Sequence, residues 1–273
     1  MSELSVLAVH GVGAGEGAVR KGFSKELKRL VFSDATEADR RWHECVWEDL
    51  NDDIDKYISG IVKEAVKEYE LPLEPGETGT SKKVWDTLKP ILANLGLHVL
   101  GDIAEYALDL SLDFVLYLDS QHARKIRDRL HTRITEVADS NSNGIVLVAH
   151  SLGSVIAYDV LAEAHLNGEK LPVKHLVTFG SPLEWTHDLR KTEEKDESKF
   201  TSIGGIPWLN FHYKEDYVTR HRELAKEKFK EVDNVLLSLP PTQAASAFAT
   251  MKSHCAYWTD ERLAKRLQAI VED

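Results

Sequence analysis

Apolar positions fall in two rhythms along this chain: short unbroken runs that end in glycine or turn residues, and longer stretches with helical spacing. Leu4-Ser5-Val6-Leu7-Ala8-Val9 is a run stopped by His10-Gly11-Val12-Gly13-Ala14-Gly15, the pattern of a strand buried on both faces. Val19, Phe23, Leu27 and Leu30 then mark an amphipathic helix over Ala18 to Val31, and Trp42 to Trp47 reads as the next strand. After residue 118 the alternation resumes with a basic helix over Ala123 to Val137 and a strand over Ile145 to Ala149. A helix over Ser154 to Ala164, a strand over His175 to Phe179 and a strand over Trp208 to Tyr213 follow. A helix over Glu223 to Val232 and a strand over Val235 to Leu239 come next. Asp260 caps a closing amphipathic helix that runs to Val271. Strands alternating with helices predict an α/β fold, with a mostly parallel central sheet flanked by helices.

Leu50 to about Leu118 breaks this alternation. Helical spacing at Ile54, Ile58, Ile61, Val62 and Val66 gives way to the loop Leu71 to Ser81, and helical signals resume near Val84. Residues 51–112 are therefore read as a helical insertion, or cap, within a single domain spanning 1–273. The apolar stretch Val99 to Leu118 carries Asp102, Glu105, Asp109 and Asp113 along one helical face. Four carboxylates on one stripe are too costly for a bilayer, so no transmembrane segment is expected there.

Composition narrows the field. With 34 Lys and Arg against 45 Asp and Glu, the formal net charge is −11, which argues against a general nucleic-acid partner. The basic helix at Arg124 to Arg129 reads as a solvated face with i,i+4 pairs. The two cysteines, Cys45 and Cys255, have no metal spacing and form no disulfide framework. Cys255 reads as a buried thiol. Two free thiols and the lack of a basic, then apolar, leader suit the cytoplasm. No His, Asp and Glu grouping has the spacing of metal ligands, so neither a metal nor another cofactor is expected.

The sharpest chemical signal is Ala149-His150-Ser151-Leu152-Gly153, a serine between a strand and a helix. A nucleophile elbow needs small residues on both sides, because its turn brings strand and helix backbones together. Ala149 stands where glycine is commoner. Acyl transfer also needs N–H donors aimed at a developing oxyanion. Leu152 supplies the first, and Val12, with Gly13 next in line, supplies the second from the loop after the first strand. A dinucleotide loop at Gly11-Val12-Gly13 is the rival, but its sixth position is Glu16 and no acid ends a clear second strand at the required distance.

Leu7-Ala8-Val9-His10-Gly11 and Val148-Ala149-His150-Ser151-Leu152-Gly153 together resemble the α/β-hydrolase superfamily, on its lipase and esterase side. Val177 to Leu183 is similar to a strand and loop of lipase-like members. Lys214-Glu215-Asp216-Tyr217-Val218 is similar to their acid turn, and Ser253 to Trp258 to their histidine loop. Residues 51–112 match no motif. The resemblance implies an α/β-hydrolase fold with the chain order serine, acid, histidine, which Ser151, Asp216 and His254 satisfy. Glu215, Asp188 and Asp233 are the competing acids. His10 is expected to support the oxyanion loop, and His150 to shape the substrate pocket wall. The implied activity is hydrolysis of a carboxylic ester, lipid-like or thioester, through an acyl-enzyme on Ser151. The alternative is a catalytically silent binding module on the same fold.

Overall fold

The computed structural model describes residues 3–11, 22–50, 117, 120–140, 143–191, 202–244 and 249–272. Six strands form one sheet: β1 (Ser5–Val9), β2 (Trp42–Cys45), β3 (Ile145–His150), β4 (Val173–Phe179), β5 (Trp208–Tyr213) and β6 (Val232–Leu237). Their order is β2-β1-β3-β4-β5-β6 and every pairing is parallel. The helices are α1 (Lys25–Val31), α2 (Ala35–Arg41), α3 (Ser120–Ser140), α4 (Leu152–Leu166), α5 (Leu183–Lys191), α6 (Pro241–Ala244), α7 (Ala249–Ala256) and α8 (Glu261–Glu272). This is an α/β fold with a parallel sheet flanked by helices, as the sequence pattern predicts.

The chain divides into two compact units, one of residues 1–11, 19–46 and 127–273 and another of 12–18 and 47–126. The first holds the whole sheet. Of the second, only Trp47 to Leu50, Tyr117 and Ser120 to Ile126 are described; the expected insertion at 51–112 lies outside the described residues. Among the described residues, no helix is long and apolar enough to cross a membrane.

Side chains alternate across the sheet, so each strand feeds two layers. On one face Val6, Ala8, Val146, Val148, Val177 and Phe179 pack with Leu27 and Val31 of α1 and with Leu263, Leu267 and Val271 of α8. Arg41, almost fully buried, ties this layer together: its guanidinium donates to the carbonyls of Leu4 (2.8 and 3.0 Å) and Val271 (2.9 Å). A buried cation that satisfies three backbone acceptor contacts avoids the penalty of an unpaired one. The apolar helix α4 packs against β1 and β3.

Two expectations change here, at residues 223–231 and at Cys255. Residues 223–231 form turns, not a helix, before β6 begins at Val232. Their buried anchors, Leu224 and Phe229, are five residues apart and so cannot share one helical face. The backbone is instead pinned by side chains: Asn234 bonds both the N–H and the carbonyl of Leu224 (3.1 and 2.8 Å), and Glu184 accepts from Ala225 N (2.9 Å). The basic helix α3 reaches outward for several partners, with Arg127 meeting Glu163 (3.1 Å) and His131 meeting Glu169 (2.8 Å), both beyond its own helix. Cys255 is exposed, whereas Cys45 is buried, and both thiols are free.

Candidate active site

The chain visits β1 and then β2 on one side, and adds β3 to β6 on the other, so the order reverses between β1 and β3. In parallel α/β sheets the crevice at the carboxyl ends of the strands at such a reversal is the habitual ligand site. The carboxyl end of β1 is His10-Gly11, and that of β3 is His150-Ser151.

Ser151 stands between β3 and α4 with φ 51° and ψ −127°, a left-handed conformation rare for a residue with a side chain. The surroundings hold it there. Its N–H donates to Phe179 O (3.1 Å), and its carbonyl accepts from Ser154 N (2.9 Å) and from the Ser154 hydroxyl (2.5 Å). The small neighbours have a steric reason. A Cβ on Gly153 would lie 2.4 Å from His10 O, and one on Gly11 would lie 2.6 Å from Ser151 Cβ. Ala149 is wholly buried, so the methyl in place of the commoner glycine is accommodated. Leu152 opens α4, and its N–H therefore has no acceptor within the helix.

Asp216 lies in the turn after β5 and is completely buried. Its Oδ1 accepts from Val218 N (2.9 Å), an Asx turn that fixes the carboxylate against its own backbone. Its Oδ2 accepts from His254 Nδ1 (3.0 Å) and from the Tyr257 hydroxyl (2.8 Å). Of the competing acids, Glu215 instead accepts from Leu239 N (3.3 Å), and Asp233 is an exposed partner of Lys226 at 3.8 Å. The side chain of Asp188 lies outside the described residues.

His254 sits near the end of α7, on a helix where a loop was expected. Gly180, with φ 59°, makes room for it: a Cβ there would lie 3.1 Å from the His254 ring and 2.9 Å from Tyr257. The imidazole thus abuts the residue that follows Phe179, whose carbonyl anchors Ser151 N. Among the described residues, no hydrogen bond joins the Ser151 hydroxyl to His254. Such bonds are often long in ligand-free enzymes and tighten when substrate binds.

The remaining expected site residues fall as follows. His150 donates from Nε2 to His254 O (2.9 Å), and its ring packs on Phe179, His254 and Trp258 with centroids 5.4, 4.7 and 5.6 Å away. Burial first, and then the neighbouring His254 charge, hold its pKa well below the usual histidine value. The ring is neutral near pH 7, and the donor role fixes its proton on Nε2. His10 is buried, bonds Gly11 O through Nδ1 and packs edge-on against Phe23 at 5.1 Å. Val12 and Gly13 lie outside the described residues. Among the described residues, no group of His, Cys, Asp or Glu is arranged to hold a metal ion.

Sequence reading missed Tyr257. Its hydroxyl donates to Asp216 and accepts from Tyr213 N (2.8 Å), and the side chain is wholly buried. Burial and the Asp216 charge push its pKa well above the usual phenol value, so it stays a donor. The one available signal was its place three residues after His254, one helical turn further on.

No family model and no curated protein matches the chain. Among solved structures it is similar to the crystal structure of the esterase domain from a Rhodothermus marinus protein. The identity is 12% and the TM-score 0.37, with 98% of this chain and 88% of that chain covered.

Proposed function

We propose that this chain is a serine hydrolase that cleaves a carboxylic ester through an acyl-enzyme on Ser151. The observation that carries this reading is the buried Asp216 bonded to His254 Nδ1, which leaves His254 Nε2 as the ring nitrogen available to a nucleophile. The left-handed turn at Ser151 supports it, because an elbow of this kind sets the serine at the carboxyl end of the sheet.

In the proposed cycle His254 Nε2 takes the Ser151 proton as Oγ attacks the carbonyl carbon. The tetrahedral oxyanion receives the N–H of Leu152 and that of Val12 or Gly13. Collapse breaks the bond to the alcohol oxygen, which leaves with the proton from His254. Water, deprotonated by the same ring, then attacks the acyl carbon and frees Ser151 with the acid product. Asp216 fixes the tautomer of His254 and stabilises its cationic form. The cap expected from the sequence at residues 51–112, with the apolar face of Val99 to Leu118 toward an acyl group, favours a lipid-like ester. No cofactor enters this chemistry. The free thiols of Cys45 and Cys255 support a cytoplasmic setting.

Labelling with a fluorophosphonate probe tests the reading. Wild type is expected to label and Ser151→Ala to lose the label; equal labelling of both overturns it and leaves a silent binding module. A series of p-nitrophenyl esters then ranks chain length, with longer acyl groups expected to turn over faster if the cap lines the pocket.

A further inference from the structure

A cleft of about 520 Å³ opens beside the edge strand β2, lined by none of Ser151, Asp216 and His254. Two helices turn cations into it. Lys25 and Lys28, three apart on α1, and Arg129 and Arg133, four apart on α3, are spaced to share one helical face each. In a chain with a net charge of −11, four cations around one cavity are a local reversal of sign. One carboxylate, Glu44, also lines it, but both of its oxygens are engaged. Oε1 accepts from Ser24 N (3.1 Å) and Ser24 Oγ (2.6 Å), and Oε2 accepts from Gly22 N (2.7 Å).

Two of these cations pair with exposed carboxylates. Lys28 meets Asp39, which is 78% exposed, and Arg133 meets Glu136, which is 55% exposed. Ion pairs with partners this exposed contribute little and are readily exchanged. Arg129 Nη1 donates to Val46 O (3.2 Å), which orients it along the wall. His43 of β2 also lines the cleft. Burial first, and then the Arg133 and Lys28 charges, hold the His43 pKa below its usual value.

We propose that this cleft binds a small phosphate-bearing molecule, its phosphate held by Lys25, Lys28 and Arg133. A phosphate dianion suits the site better than a carboxylate, because cationic donors come from two separate helices and a tetrahedral oxyanion has oxygens facing several directions. The cleft is also concave and of the size of a small-molecule site. This site is separate from the one proposed for ester hydrolysis and stands whether or not Ser151 is a nucleophile.

Isothermal titration with inorganic phosphate and with glycerol phosphate, at an ionic strength held constant with chloride, tests it. Saturable binding is expected for wild type, with affinity at least tenfold weaker in the double variant Lys25→Glu/Arg133→Glu. A control carrying the same charge change elsewhere, Lys170→Glu/Lys265→Glu, should bind like wild type. Circular dichroism checks folding, and Lys25→Ala, which trims one exposed side chain, gives a weaker loss if the double variant unfolds. Absence of saturable binding by wild type, or an equal loss in the control, overturns the proposal. So does binding to phosphatidic acid vesicles without binding to either free phosphate, because the surface would then recognise a headgroup array.

Discussion

At Asp216, two carboxylate oxygens accept from a backbone amide, an imidazole and a phenol. A buried carboxylate needs such donors to remain charged, and each sets its angle as well as its energy. Tyr257 is a positioning residue: it touches Asp216, and through it His254. Tyr257→Phe removes one donor from Asp216 and the acceptor of Tyr213 N. We expect a loss of about 1–3 kcal/mol in stability, as for a buried bond to a charged group. Turnover of an ester substrate should fall by roughly tenfold with KM little changed, since the substrate does not meet the phenol. A merely structural role would leave kcat in place under conditions where the variant is fully folded, whereas loss of positioning lowers kcat and leaves KM alone. An unchanged kcat in the folded variant would reduce Tyr257 to a packing residue. Tyr257 was hidden in the sequence because its partner lies 41 positions away. Asp216 was legible over Glu215 through the resemblance of Lys214 to Val218 to an acid turn, but the bond from Asp216 N to Tyr213 O (3.1 Å) that shapes that turn was not.

Elements were legible where one signal dominated. The strands β1, β3, β4 and β5 stand out as apolar runs because both faces of the sheet are covered, and α8 stands out because Leu263, Leu267 and Val271 repeat on one face beneath the Asp260 cap. Elements held by capping or by tertiary polar bonds were not. The short helix α2 went unread although Asp34 accepts from Glu37 N (2.7 Å), a cap that its sequence Asp34-Ala35-Thr36-Glu37 does carry. Likewise, residues 223–231 have helix-forming composition but obey Asn234 and Glu184. The elbow joining β3 to α4 offers a test at this scale. Gly153→Ala places a methyl against the backbone of β1, which cannot swing away as a side chain could. We expect destabilisation of about 1–3 kcal/mol from overpacking and a larger loss of turnover as Ser151 shifts. Ala149→Gly should instead keep its activity and lose about 0.5–1 kcal/mol, the cost of glycine in a strand. Urea melts and ester turnover on the two variants measure both effects, and a harmless Gly153→Ala would refute the close approach of α4 to β1.

Across the whole molecule, three histidines on three strands share one electrostatic condition. His43 on β2, His150 on β3 and His212 on β5 all have lowered pKa values, with burial the largest cause in each. Their neighbours differ: Arg133 and Lys28 add to the lowering at His43 and His254 at His150, whereas Glu223 and Asp216 oppose it at His212. An unfolded chain takes up these protons near pH 6.5, but the folded chain takes them up only at lower pH. Protons therefore bind the unfolded state preferentially, and the stability these groups contribute is present above pH 6.5 and lost as pH falls below it. Urea midpoints in phosphate-free buffer should thus be flat from pH 7.5 to about 6.5 and then decline. Each proton taken up on unfolding adds about 1.4 kcal/mol per pH unit to the slope. His150→Gln keeps an N–H that can donate to His254 O but cannot titrate, so its acid slope should be shallower by up to one proton's share. If the wild-type midpoint rises as pH falls from 6.5 to 5.5, or if His150→Gln follows the wild-type slope, the buried neutral state of this ring is wrong. Adding phosphate near pH 6 extends the test to the basic cleft: an anion beside His43 favours the protonated ring, so the decline should lessen in wild type and persist in Lys25→Glu/Arg133→Glu.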